Sequence, residues 1–177
     1  MKLTFVIGGA RSGKSRHAMQ LARALSDNPV YLATSRIWDE DHGRRIERHR
    51  KDRGPEWRTV EEPKYLSQVG VQDAVVVIDC VTLWLTNFFI DVGHDLDRCL
   101  EQAWAEFSKL DTCRNHYIVV SNELGQGLHA ETEIGRKFTD LQGMINQRIA
   151  ARADDVTWMV AGIPVSIKHT APSSRTE

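Results

Sequence analysis

Residues 8–15 read Gly-Gly-Ala-Arg-Ser-Gly-Lys-Ser, a full match to the phosphate-loop pattern Gly-x-x-x-x-Gly-Lys-Ser/Thr. The residue types suit a nucleotide's phosphates. Gly8, Gly9 and Gly13 let the backbone N–H groups of the loop, Ala10, Arg11 and Ser12 included, turn inward on anionic oxygens. A helix opening at Lys14 adds its N-terminal partial charge, Lys14 reaches the β and γ phosphates, and the Ser15 hydroxyl can ligate Mg²⁺. Arg11 faces either the phosphates or solvent.

Asp79 ends the run Val75-Val76-Val77-Ile78 and stands where a Walker-B acid would hold Mg²⁺ through water. A strand-end acid that caps the following turn is the alternative reading. Residues 44–53 carry six basic and two acidic side chains around one histidine, His49. Such a run is either a solvated helix face or a phosphate clamp built from arginines. In a clamp, His49 has a further use. Its neutral nitrogen can attack an α-phosphorus, expel pyrophosphate and leave a nucleotidyl-histidine. Nearby cations keep the imidazole neutral and stabilise charge on the phosphate oxygens.

These groups need elements to carry them. The pattern predicts strands at 3–7, 30–33, 57–60, 74–78, 117–120, 156–160 and 165–167, and helices at 14–25, 99–110 and along the Ile134–Ile149 periodicity, with a short helix opening at Pro63. Alternating strands and helices predict an α/β domain with a mainly parallel sheet covered on both faces, a P-loop NTPase of RecA-like type. Ligands in such sheets bind beyond the carboxyl ends of the strands, where the motifs fall. One domain is expected over 1–168, followed by a polar tail at 169–177.

The chain has 177 residues and a formal net charge of −1, from 23 Lys+Arg and 24 Asp+Glu. That length supports a real hydrophobic core, and the balance argues against a nucleic-acid-coating surface. Cys80, Cys99 and Cys113 form no Cys-x-x-Cys pair, and the apolar start is cut short at Gly8. Both features point to a reducing cytoplasmic setting with no membrane span. No Asn-Lys pair occurs, so the guanine reader of a switch GTPase is missing. A small-metabolite kinase is the generic expectation.

Several motifs in order narrow this. The phosphate loop is followed by Arg16-His17-Ala18, Tyr31-Leu32-Ala33-Thr34-Ser35, Arg45-Ile46-x-x-His49 and Trp57-Arg58-Thr59-Val60-Glu61. Asp79-Cys80-Val81-Thr82-Leu83-Trp84-Leu85-Thr86-Asn87 comes next, then Val120-Ser121-Asn122-Glu123-Leu124-Gly125-Gln126-Gly127. Gly135-Arg136-Lys137-Phe138-x-Asp140-Leu141-x-Gly143-x-x-Asn146-Gln147 and Val160-Ala161-Gly162-Ile163-Pro164 complete the series. From residue 3 to about 168 the chain resembles the bifunctional adenosylcobinamide kinase / adenosylcobinamide-phosphate guanylyltransferases of cobalamin biosynthesis.

The resemblance implies two transfers. A phosphate from ATP or GTP goes to the aminopropanol hydroxyl of adenosylcobinamide. GTP then guanylylates a histidine, and the GMP moves to adenosylcobinamide phosphate, giving adenosylcobinamide-GDP. It also implies that His49 is the nucleophile. Where family members carry a His-His pair, the second matches His49 and Arg48 replaces the first. Nucleotide contacts are implied for the loop, for Ala33, Thr34 and Ser35, and for Arg50, Lys51, Asp52 and Arg53, with Glu61 and Asp79 completing the site. Glu61 is otherwise a surface acid. Asn122-Glu123 either orients substrate or metal, or caps. A homotrimer is implied. Leu83-Trp84-Leu85 and Phe88-Phe89 are candidates for an exposed subunit or corrinoid contact, or for a core helix. The rival function is a monofunctional kinase in which His49 only touches phosphate.

Overall fold

The computed structural model describes residues 1–36 and 53–170. His49, Arg50, Lys51 and Asp52 lie outside the described residues, as does most of the expected tail. Alternating burial along the strands shows how the sheet is covered. In β1 (Lys2–Gly8), Leu3 and Phe5 turn to one face and Val6 to the other. In β4 (Val75–Asp79), Val76 and Ile78 oppose Val77, and in β5 (His116–Asn122), Tyr117 and Val119 oppose Ile118 and Val120. With both faces apolar, such strands must be buried between two helical layers.

One layer is α1 (Lys14–Leu25), whose Ala18 and Ala22 pack on Val6, Val77, Ile118 and Val120. The other holds α2 (Val81–Asp91), α3 (Leu96–Ser108) and α4 (Glu133–Arg152). Their anchors Trp84, Phe107, Leu141, Ile145 and Ile149 meet the Leu3, Phe5, Ile78 and Val119 face. Including β2 (Val30–Ala33), β3 (Arg58–Glu61), β6 (Asp155–Val160) and β7 (Ile163–His169), the sheet order is β3-β2-β4-β5-β1-β6-β7. Every described pairing is parallel except the β6–β7 hairpin. No helix among the described residues is long and apolar enough to cross a membrane.

One alternative is decided and three expectations change. Trp84, Leu85, Phe88 and Phe89 are buried, so this segment is the core helix α2 and not an exposed contact surface. Burying each of these side chains is worth about 1.5–3 kcal/mol. Pro63 opens no helix: its carbonyl accepts from Asn87 Nδ2 at 2.8 Å, and the 3₁₀ turn comes later, at Leu66–Val69. Helix α3 starts three residues before the predicted Cys99, because the Asp95 carboxylate accepts from Arg98 N and caps the helix there. The last strand also includes His169, the first residue assigned to the tail.

Candidate active site

The predicted residues meet along the carboxyl edge of the sheet. Ala33 lies opposite Glu61 on one side and Asp79 on the other, and Asp79 lies opposite Val120. Gly8 follows on β1, opposite Asn122. Glu61, on the outer strand β3, is four strand spacings from β1, about 19 Å. It is exposed.

The phosphate loop is shaped by close approach and by left-handed backbone. A Cβ on Gly8 would stand 2.6 Å from the Met159 carbonyl oxygen and 2.9 Å from Ser12 Oγ, so only glycine fits. Arg11 (φ 57°) and Gly13 (φ 91°) take left-handed conformations, and Ser12 N donates to the Gly9 carbonyl at 3.3 Å. The β6–β7 turn braces the loop, with Gly162 N donating to the Ser12 carbonyl at 3.1 Å. Gly13 caps α1 without a side chain, so the first helical N–H groups are left for an anion. Ser15 is half-buried in that first turn, while Gly9, Ala10 and Arg11 are exposed.

Lys14 folds back over the loop, its Nζ donating to the Gly9 carbonyl at 2.6 Å. The residue is only 7% exposed. Burial lowers its pKa below the ordinary lysine value, against the opposing pull of Cys80 and Asp79. A phosphate would restore to this ammonium the anionic partner that burial denies it.

Asp79 is half-buried, and its Oδ2 accepts the Tyr31 hydroxyl proton at 2.8 Å. Its Oδ1 accepts no hydrogen bond among the described residues. Mg²⁺ takes one or two protein oxygens with phosphate oxygens and waters, and Asp79 with Ser15 fits that requirement. Arg53, the last residue of the basic stretch, lays its guanidinium 3.9 Å from the Tyr31 ring centroid. Arg53 Nε is buried with no hydrogen-bond partner among the described residues. A bound anion would satisfy it.

Thr34 is fully buried: its hydroxyl donates to the Cys80 carbonyl at 2.8 Å, and its carbonyl accepts from Asn87 Nδ2 at 2.8 Å. It supports the edge rather than facing a ligand. Ser35 is half-buried beside it and donates to the Arg36 carbonyl. Arg36 makes a two-pronged ion pair with Asp91 at 3.1 and 3.2 Å, and Lys64 joins at 2.8 Å. Under β5, Ser121, Gln142 and Asn146 form a buried hydrogen-bonded set, and Asn146 Nδ2 donates to the Asn122 carbonyl at 3.0 Å. Asn122 Nδ2 donates to Thr82 Oγ1 at 2.9 Å, and the Glu123 carboxylate accepts from Gly125 N at 2.8 Å. Both therefore organise the turn after β5. Beyond it lies a cavity of about 270 Å³ lined by Gly125, His129, Arg136, Thr139 and Asp140, among others.

Loop, β2 end and Asp79 are thus brought together, Arg53 joins them through Tyr31, and Glu61 lies at the outer end of the same edge, opposite Ala33. Tyr31, Asn87 and Asp91 were not foreseen as site residues. A tyrosine in an otherwise apolar strand was the available signal, since a buried phenol needs a partner.

Residues 4–167 match a family model described as cobinamide kinase / cobinamide phosphate guanyltransferase. The chain is 40% identical over 181 residues to the bifunctional adenosylcobalamin biosynthesis protein CobU of Escherichia coli K12, covering 94% of this chain and 99% of that protein. It is 39% identical to the corresponding protein CobP of Pseudomonas aeruginosa, covering 92% and 95%. Among solved structures, a prototypical ATPase from the type III secretion system of pathogenic bacteria superposes with TM-score 0.50 at 11% identity, covering 98% of this chain and 59% of that one. That likeness supports the P-loop NTPase fold.

Proposed function

Because this chain belongs to the cobinamide kinase / cobinamide phosphate guanyltransferase family, we propose that one edge of its sheet carries both of that family's transfers. In the first, the aminopropanol hydroxyl of adenosylcobinamide attacks the γ-phosphorus of ATP or GTP, and the nucleoside diphosphate leaves. In the second, a His49 ring nitrogen attacks the α-phosphorus of GTP and pyrophosphate leaves. A phosphate oxygen of adenosylcobinamide phosphate then attacks the same phosphorus and breaks the P–N bond, giving adenosylcobinamide-GDP.

The loop N–H groups and Lys14 hold the phosphates, and Ser15 and Asp79 hold Mg²⁺, which when bound neutralises charge on the phosphoryl oxygens. Ala33, Ser35, Arg50, Lys51, Asp52 and Arg53 line the nucleotide. Glu61 faces its far end. The observation that carries this reading is Arg53. It closes the histidine-bearing stretch and is seated on Tyr31, whose hydroxyl holds Asp79, so the chain leaves that stretch beside the acid assigned to the metal.

Two further parts of the reading concern setting. The homotrimer is part of this reading; the edge strand β7, where Ile163, Val165 and Ile167 are exposed, supports association of some order. Cytoplasmic residence is supported by Cys80, Cys99 and Cys113, all unpaired.

Mass spectrometry of the protein after addition of GTP and Mg²⁺ tests the central claim. The peptide containing His49 gains the mass of GMP, and His49→Ala takes up none. GMP uptake that persists undiminished in His49→Ala overturns the assignment. A wild-type protein that phosphorylates adenosylcobinamide but takes up no GMP would be the monofunctional kinase.

A further inference from the structure

We infer that Tyr31 is a positioning residue shared by the two transfers, orienting Asp79 with its hydroxyl and seating Arg53 on its ring. This deepens the proposed function and rests on it. Tyr31 pairs with Val77, and Ala33 with Asp79, so Tyr31 and Asp79 are diagonal neighbours on one face of adjacent strands. That separation is within reach of a long aromatic side chain. The residue is 5% exposed, and the phenol satisfies its buried hydroxyl by donating to Asp79 Oδ2 at 2.8 Å. A carboxylate with one oxygen so fixed presents the other in a defined direction.

The ring has its own task. Arg53 covers one face at 3.9 Å, and Trp57 meets the ring edge-on at 6.1 Å and 81°. Trp57 is held in turn by Arg23, 5.8 Å over its ring, and Arg23 pairs with Glu56 at 3.0 Å. The chain leaving the basic stretch is thus gripped at Arg53 and again at Trp57, with Tyr31 between them. A buried cation–aromatic contact of this kind is worth enough to fix where an arginine points. One side chain therefore sets both the metal-holding oxygen and the exit of the segment that bears the nucleophile.

Two substitutions separate these tasks in the full-length protein. Tyr31→Phe removes the hydroxyl and keeps the ring; Tyr31→Leu removes both. Binding of a fluorescent GTP analogue is titrated with Mg²⁺, and GMP loading of the His49 peptide is followed by mass spectrometry. Tyr31→Phe raises the Mg²⁺ midpoint for analogue binding about tenfold, the scale of a hydrogen bond to a charged group. Excess Mg²⁺ restores its GMP loading. Tyr31→Leu shows the same Mg²⁺ shift, but loading stays about tenfold slow at saturating Mg²⁺, because Arg53 has lost its seat.

An unmoved Mg²⁺ midpoint in Tyr31→Phe, or loading that excess Mg²⁺ restores equally in both variants, overturns the inference. Should Tyr31→Leu fail to fold, Arg53→Gln removes the cation with the ring in place and must show the same slow loading. If the wild type takes up no GMP at all, the guanylylation reading falls and the Arg53 half of this inference falls with it. The Mg²⁺ midpoint of Tyr31→Phe then still decides the Asp79 half.

Discussion

Asn87 of α2 holds the end of β2 in place: its Nδ2 donates to the carbonyls of Thr34 and Pro63, each at 2.8 Å. The side chain is fully buried, so these bonds form where water does not reach. They tie a core helix to the backbone that carries Ala33, Thr34 and Ser35. In Asn87→Ala one buried and one part-buried carbonyl lose their donor at once. Stability should fall by about 2–4 kcal/mol. Urea denaturation measures it, and GTP affinity should weaken as the strand end loosens. A stability loss below about 0.5 kcal/mol would show that water or a neighbour replaces the amide.

How much of this was legible depends on whether the signal is local. The phosphate loop and α1 are, because a helix N-terminus, its glycines and the Ala18/Ala22 face lie within a dozen residues. Strand β4 is also plain, as an unbroken β-branched run ending in an acid. Helix α2 was ambiguous for a physical reason. A helix apolar on most sides is buried on most sides, but a short apolar stretch gives the same signal for a core helix and for an exposed contact. The Tyr31–Asp79 bond joins residues 48 apart, and Arg36–Asp91 residues 55 apart. Such pairs arise from strand order, which hydrophobic periodicity does not encode.

Asp91 anchors the entry to the undescribed segment as Arg53 anchors its exit. The side-chain hydrogen bonds from Arg36 and Lys64 lower its pKa from 3.8 to about 2. A carboxylate depressed on folding contributes stability that is full above its unfolded value and is lost as pH falls through its folded one. Asp91 is 35% exposed, so solvent screening reduces the contribution to about 0.5–1 kcal/mol. Asp91→Asn should cost that amount at neutral pH. The gap between variant and wild type should then close steadily from about pH 5 down towards pH 2. Denaturation curves across that range check it. A gap that stays constant with pH would mean that the ion pair contributes nothing and that only packing was lost.

The phosphate loop gives the most direct contrast, because its glycines are constrained by different things. A methyl on Gly8 would meet the Met159 carbonyl oxygen at 2.6 Å, and that oxygen belongs to a neighbouring strand's backbone that cannot swing aside. A methyl on Gly9 has nothing within 4 Å. Gly8→Ala should therefore cost about 1–3 kcal/mol as β1 and β6 are forced apart, whereas Gly9→Ala should stay within about 0.5 kcal/mol of wild type. Both changes act on the phosphate side, so nucleotide affinity alone does not separate them; thermal or urea unfolding does. Lys14→Ala removes a cation whose burial already disfavours its charge, so stability should hold or rise slightly. Its phosphate contact would be lost, and γ-phosphate transfer should fall by about 10²–10³-fold. If Lys14→Ala unfolds the protein instead, the lysine's bond to the Gly9 carbonyl holds the loop together and its folded-back position is structural.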